Sequence, residues 1–135
     1  TQDSSSAASD VYKRQDKARD AALAMFSGDD IPDAVFVSND HMAFSVMDTL
    51  RFELELRVPE DVSVVGYDDV LAASWRGYDL TTVRQPAVQM VDETVDILLA
   101  QIEGGNITPR RIEIDGPLVV RSSARCAIST KGSVR

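Results

Sequence analysis

The chain has one cysteine, Cys126, and so cannot close an internal disulfide. It has one histidine, His41, with no cysteine or second histidine near it to share a metal and no serine elbow beside it. His41 therefore reads as a surface residue at a helix start. No apolar run approaches the roughly 20 residues needed to span a bilayer, so no membrane partner is expected. No charged-then-apolar segment opens the sequence, so nothing argues for export, and a reducing, cytoplasmic setting is the expectation. There is no glycine-rich phosphate loop, zinc-ligand spacing or nucleophile elbow. The chain thus reads as a non-enzyme that needs no cofactor. Basic residues are also scarce: 14 Lys plus Arg stand against 22 Asp plus Glu, a net charge of −8. Such a chain is repelled by nucleic acid unless its cations cluster. The most basic stretch, Arg121, Arg125, Lys131 and Arg135, has no interleaved aromatic residue and reads as a solvated tail.

What remains is an ordinary soluble composition, 44% hydrophobic and 27% charged over 135 residues, enough for one domain with a modest core. Thr1 to Asp10 is Ser/Ala-rich and lacks an apolar period, so residues 1–15 are expected to be a disordered or non-native leader. From Asp16 to Phe26 a helical face carries Ala18, Ala22, Met25 and Phe26, with Gly28 as a stop. The run Ala34 to Val37 has the mark of a strand buried on both faces. Ser38-Asn39-Asp40 closes it and offers an N-cap to the amphipathic helix of Met42, Val46, Met47, Leu50 and Leu54. Val58-Pro59 breaks that helix, and Val62 to Gly66 is a second buried strand, closed by Tyr67-Asp68-Asp69. Leu80 to Val83 is β-prone. Pro86 opens a long helix with Val88, Val91, Val95, Leu98 and Ile102 at steps of three and four, stopped by Gly104-Gly105. Arg111 to Ile114 and Leu118 to Arg121 are two last β-prone runs around Asp115-Gly116-Pro117.

Buried strands alternating with helices predict an α/β fold: a mostly parallel sheet with helices on both faces. In such sheets ligands bind at the carboxyl ends of strands. That rule selects Ser38-Asn39-Asp40 and Tyr67-Asp68-Asp69. Asn39 could equally be a helix cap, and an Asp pair after a strand is more often a solvated turn.

The same places carry a family resemblance. Pro32-Asp33-Ala34-Val35-Phe36-Val37-Ser38-Asn39-Asp40, then Val58-Pro59-Glu60-Asp61-Val62-Ser63-Val64-Val65-Gly66-Tyr67-Asp68-Asp69, then Leu80-Thr81-Thr82-Val83-Arg84-Gln85-Pro86, closed by Gly116-Pro117-Leu118-Val119-Val120-Arg121, resembles the LacI/GalR family of transcriptional regulators. The resemblance implies a partial periplasmic-binding-protein-like sensor domain over residues 16–121, with a crossing helix at 87–103 and a tail at 122–135. It implies a small effector, a sugar or purine-like molecule, held between two lobes. It also implies a homodimer, and operator DNA bound only through an N-terminal helix-turn-helix head that this chain does not contain. By the same resemblance Asn39, Asp68 and Gln85 face the effector. Their chemistry suits a sugar: Asp68 accepts from hydroxyls, while the two amides donate and accept. Asp40 reads as a cap or loop brace, and Asp69 as a loop brace. Trp75 and Tyr78 offer either an aromatic plate under a sugar ring or packing and a subunit contact.

Two other functions compete. A solute-binding protein for transport shares the fold, but the Leu80 to Pro86 segment favours the regulator. A receiver-like domain would use Asp68-Asp69 for magnesium, but it needs its acidic pair after the first strand and a lysine after the last, and neither order holds.

Overall fold

A computed structural model of the chain describes residues 3–104 and 111–125. Gly105 of the expected helix stop, and Cys126, Lys131 and Arg135 of the expected tail, lie outside the described residues. The elements run α1 (Asp3–Phe26), β1 (Ala34–Phe36), α2 (Asp40–Asp48), β2 (Ser63–Asp68), β3 (Thr81–Arg84), α3 (Ala87–Ile102) and β4 (Leu118–Val119). A π-helical turn, Thr49–Glu53, extends α2, and a 3-10 turn, Leu71–Ser74, follows β2.

The four strands form one sheet in the order β1-β2-β3-β4. β1 and β3 lie parallel to β2, and β4 pairs antiparallel with β3. The mostly parallel α/β fold is therefore the one the sequence predicts. Strand alternation puts Val35, Val37, Val64 and Leu80 on the face covered by α1 and α2. There they join Ala18, Ala22, Phe26, Ala43, Met47 and Leu50 in the core. Met47, Leu50, Val62, Val64 and Leu80 are fully buried.

Several local expectations differ from the structure. α1 begins at Asp3 rather than Asp16; no proline or glycine interrupts the sequence before Gly28, and Ala and Ser permit a continuous helix. β1 is not buried on both faces. It is the sheet edge, and its Phe36 side chain is 61% exposed on the face opposite α1 and α2. Among the described residues the second face lacks the expected helix cover, because α3 contributes no buried residue. The expected strand from Arg111 to Ile114 is irregular, and β4 stops at Val119 rather than Arg121. Two isoleucines in a four-residue run are not sufficient for a strand without a neighbour to complete the ladder.

Two of the basic residues expected to form a solvated tail, Arg121 and Arg125, instead bond back onto the backbone around the sheet. Arg121 is only half-buried as a residue, but its guanidinium donates to the Leu80 carbonyl and to Asp69 Oδ1, both at 2.7 Å. Arg125 donates to the Asp33 carbonyl at 2.9 Å. Ser123, fully buried between them, accepts from the Thr81 N–H at 2.8 Å and donates to the Val64 carbonyl at 2.6 Å. Backbone groups left open past the end of β4 are thus satisfied by side chains.

Candidate functional site

β1, β2 and β3 end at the same sheet edge, and each end delivers one polar group. After β1 the chain turns into α2 through Asn39, whose φ of −157° is extended. Asn39 Oδ1 accepts from the N–H groups of His41 at 2.9 Å and Met42 at 3.3 Å, capping the helix. Its other end donates: Nδ2 lies 2.7 Å from Asp68 Oδ2. The cap and the site contact are therefore not alternatives, because opposite ends of one amide perform them. Capping also fixes which end of the amide faces Asp68.

Asp68 closes β2, and its second oxygen, Oδ1, accepts from Gln85 Nε2. Gln85 is the residue after β3 and is exposed. The three residues singled out in the sequence, Asn39, Asp68 and Gln85, thus meet around one half-buried carboxylate. Both donors are neutral amides. The space beside them is open: a cavity of about 290 Å³ is lined by Ser38, Asn39, His41 and Met42 among others. A second, of about 470 Å³, runs along Arg84 to Gln89.

Two further acids at this edge are committed elsewhere. Asp40 is completely buried. Its Oδ1 accepts from Thr82 Oγ1 at 2.7 Å and its Oδ2 from the Val70 N–H at 2.9 Å, so it joins α2, β3 and the loop after β2. Room for it exists because position 66 is glycine: a Cβ there would overlap Asp40 Oδ1. Asp69 forms ion pairs with Arg84 at 2.6 Å and Arg121 at 2.7 Å. Burial alone would push the Asp69 carboxyl up, but hydrogen bonds from Arg121 and Arg84 outweigh it and hold the group below the usual carboxylate range.

Tyr78 and Trp75 are not bonded to this cluster. The Tyr78 ring stacks on Phe44 with centroids 4.3 Å apart, and its hydroxyl donates to Asp48 Oδ2 at 3.2 Å. Burial pushes both the Asp48 carboxyl and the Tyr78 hydroxyl up. Trp75 is exposed, as are Leu71 and Phe52, and Arg51 Nη1 donates to the Gly77 carbonyl at 2.5 Å. His41 lies exposed at the start of α2, with its ring edge-on to Phe44.

Sequence reasoning assigned Arg84 no role and misread Arg121. The available signal was charge balance: an acid pair at a strand end needs cations, and Arg84 and Arg121 sit at the ends of the neighbouring strands. Among the described residues no group of three or more His, Cys, Asp or Glu side chains could hold a metal ion. Nor is any described helix long and apolar enough to cross a membrane.

Comparison with known proteins shows the family to which the fold belongs. The model of the periplasmic binding protein-like domain matches residues 2–124. The ribose operon repressor of Escherichia coli K12 is 38% identical over 93 residues, which cover 69% of this chain and 28% of the repressor. The chain thus spans less than a third of that relative's length. Among solved structures, the transcriptional regulator CelR in complex with cellobiose superposes with a TM-score of 0.73 and 35% identity, over 82% of this chain and 33% of CelR. The lac repressor dimer, bound to operator and the anti-inducer ONPF, superposes with a TM-score of 0.71 and 31% identity, over 81% of this chain and 37% of the repressor.

Proposed function

The chain belongs to the periplasmic binding protein-like domain family, as part of the effector-binding domain of a LacI/GalR-type transcriptional regulator, and on that premise we propose that its strand-end edge is half of a cleft that binds a small neutral sugar. The observation that carries this reading is the convergence of Asn39, Asp68 and Gln85, each from a different strand end, on one carboxylate with neutral partners. A sugar hydroxyl donates to a carboxylate and accepts from an amide. Asp68 provides the acceptor, and the second Nδ2 hydrogen of Asn39 provides the donor. Gln85, exposed at the crossing into α3, can swing from Asp68 to the ligand. The cellobiose bound by CelR and the ribose in the E. coli repressor's name agree with this ligand class. A purine-like ring would need stacking surface, and the ring of Tyr78, the aromatic singled out with Trp75, is taken up by Phe44.

In the full-length regulator, effector binding would alter the setting of the two lobes and so of a DNA-binding head outside this chain. The protein would work as a cytoplasmic homodimer and a repressor. The exposure of the apolar side chains Phe52, Leu71 and Trp75 supports pairing between copies. The decisive experiment is calorimetric titration of the full-length regulator with pentoses, hexoses, β-linked disaccharides and nucleobases. Losing two charge-assisted hydrogen bonds, Asp68→Ala is expected to weaken the bound sugar roughly a hundredfold or more. An unchanged affinity in that variant removes Asp68 from the site.

A further inference from the structure

Asp68 and Asp69 have φ values of 121° and 54°, a region that residues with side chains rarely adopt. Two such residues in succession persist only where their surroundings hold them. Asp68's own hydrogen bonds do not suffice for this, because Asn39 and Gln85 are the groups that a ligand would engage.

The restraint comes from the next residue. The Asp69 carboxylate, its side chain 6% exposed, grips Arg84 Nε at 2.6 Å and Arg121 Nη2 at 2.7 Å. Arg84 stands where the chain leaves the sheet, whereas Arg121 lies past β4, level with the start of β3, where its N–H donates to Thr81 Oγ1. Arg84 ends β3, and two residues later α3 departs without burying a single side chain. Arg121 follows β4, on the returning segment. The two segments touch backbone to backbone: the Arg84 N–H donates to the Pro117 carbonyl at 2.9 Å. Gly116 is required there, because a Cβ would sit 2.8 Å from the Arg84 carbonyl oxygen. One carboxylate therefore joins the loop after β2 to the segment that leaves the sheet after β3 and to the chain just past β4. Its partners are guanidinium groups, which a neutral ligand cannot displace.

We propose that Asp69 is a positioning residue: it holds Asp68 in its ligand-accepting conformation and ties that carboxylate, through Arg84, to the segment that leaves the sheet and, through Arg121, to the strand that returns beside it. This rests on the reading that Asp68 binds the effector. Occupancy of Asp68 and the geometry of the crossing are then linked through a neighbour that never touches the ligand. The backbone of Asp69 is part of the link, because its positive φ sets the direction in which Asp68 enters the cleft.

The test uses the full-length regulator and a fixed panel of D-ribose, D-glucose, D-galactose, cellobiose and adenine, with the panel member that binds the wild type as probe. Asp69→Asn keeps size and shape but loses the charge. It is expected to weaken the probe about tenfold. Arg121→Lys, which keeps the charge but not both contacts, is expected to fall between wild type and Asp69→Asn. Hydrogen exchange separates positioning from general loosening. Asp69→Asn should speed exchange in the peptide around residues 66–72 and leave α2 unchanged. Wild-type affinity in Asp69→Asn, together with loss of binding in Asp68→Ala, overturns the positioning role alone. Equal acceleration of exchange throughout the lobe also overturns it. If no panel member binds the wild type, or if Asp68→Ala binds normally, the site reading fails and the proposal fails with it.

Discussion

Gly66→Ala tests whether the buried Asp40 organises the site edge. A Cβ at position 66 would overlap Asp40 Oδ1 and lie 2.9 Å from Leu80 Cδ2. Leu80 is fully buried, and so is Asp40, so neither neighbour can swing into solvent. Overpacking a filled core costs about 1–3 kcal/mol. Displacing Asp40 also strains its bonds to Thr82 Oγ1 and the Val70 N–H; bonds to a charged group contribute about 1.5–3 kcal/mol each. Partial relaxation brings the expected loss to about 2–5 kcal/mol, well above the usual effect of one added methyl group. At about 2–4 °C per kcal/mol, the melting transition of the full-length regulator should fall by roughly 5–15 °C.

Gly28→Ala is the control. A Cβ there meets nothing within 4 Å, and the backbone is not left-handed, so the change should be neutral or stabilise by about 0.4–1 kcal/mol. A double-mutant cycle completes the test. In an Asp40→Ala background the obstruction is gone, and Gly66→Ala should cost much less. Strictly additive losses, or a Gly66→Ala melt within about 0.5 kcal/mol of wild type, would refute the argument that this glycine exists to accommodate Asp40.

Acid should expose the Asp69 clamp. Its carboxyl is held below the usual range in the folded chain, so its stabilisation is full above the ordinary carboxylate pKa of about 4 and is lost as pH falls through the lower folded value. In melts from pH 7 down to pH 2, wild type should lead Asp69→Asn at neutral pH and converge with it in acid; a constant gap would count against the ion pairs. The apolar stripe of α3 gives a second prediction. Val88, Val91, Val95, Leu98 and Ile102 are all at least 45% exposed, so the isolated chain should associate with concentration, and Val95→Glu with Leu98→Glu should reduce that association in sedimentation velocity.

The sequence made legible those features that depend on neighbours along the chain. Val64-Val65-Gly66 could only be a buried strand, and the heptad-like spacing of α3 could only be a helix. The rule that ligands sit at strand carboxyl ends led to Asn39 and Asp68, and the family resemblance added Gln85. What stayed hidden depends on neighbours in space. Nothing near Asp40 announces that it is buried; the signal was Gly66, 26 positions away, and it reads as one more residue of a buried strand. Arg121 and Ser123 belong to a stretch whose composition reads as solvated, yet they complete hydrogen bonds that β4 is too short to make. Arg111 to Ile114 shows the reverse error: β-branched content promised a strand, but no neighbouring strand pairs with it among the described residues.

The three acids at this edge show why residue type alone could not assign roles. Asp40, Asp68 and Asp69 share one chemistry and sit within a few ångströms of the same strand ends, and the partners that reach each one separate them. Asp40 is met by a buried hydroxyl and a backbone N–H; no solvent or ligand competes for it, so it is structural. Asp69 is met by two guanidinium groups. A neutral molecule offers nothing stronger, so that bond persists whatever occupies the cleft. Asp68 is met by two side-chain amides. A sugar hydroxyl can replace an amide at little net cost, because one hydrogen bond from a neutral donor to the carboxylate is exchanged for another. A site that must bind and release a neutral ligand needs its carboxylate satisfied when empty but not claimed by a cation. Of the three, only Asp68 meets that condition, and it does so while Asp69 beside it supplies the fixed anchor that such an exchangeable group lacks.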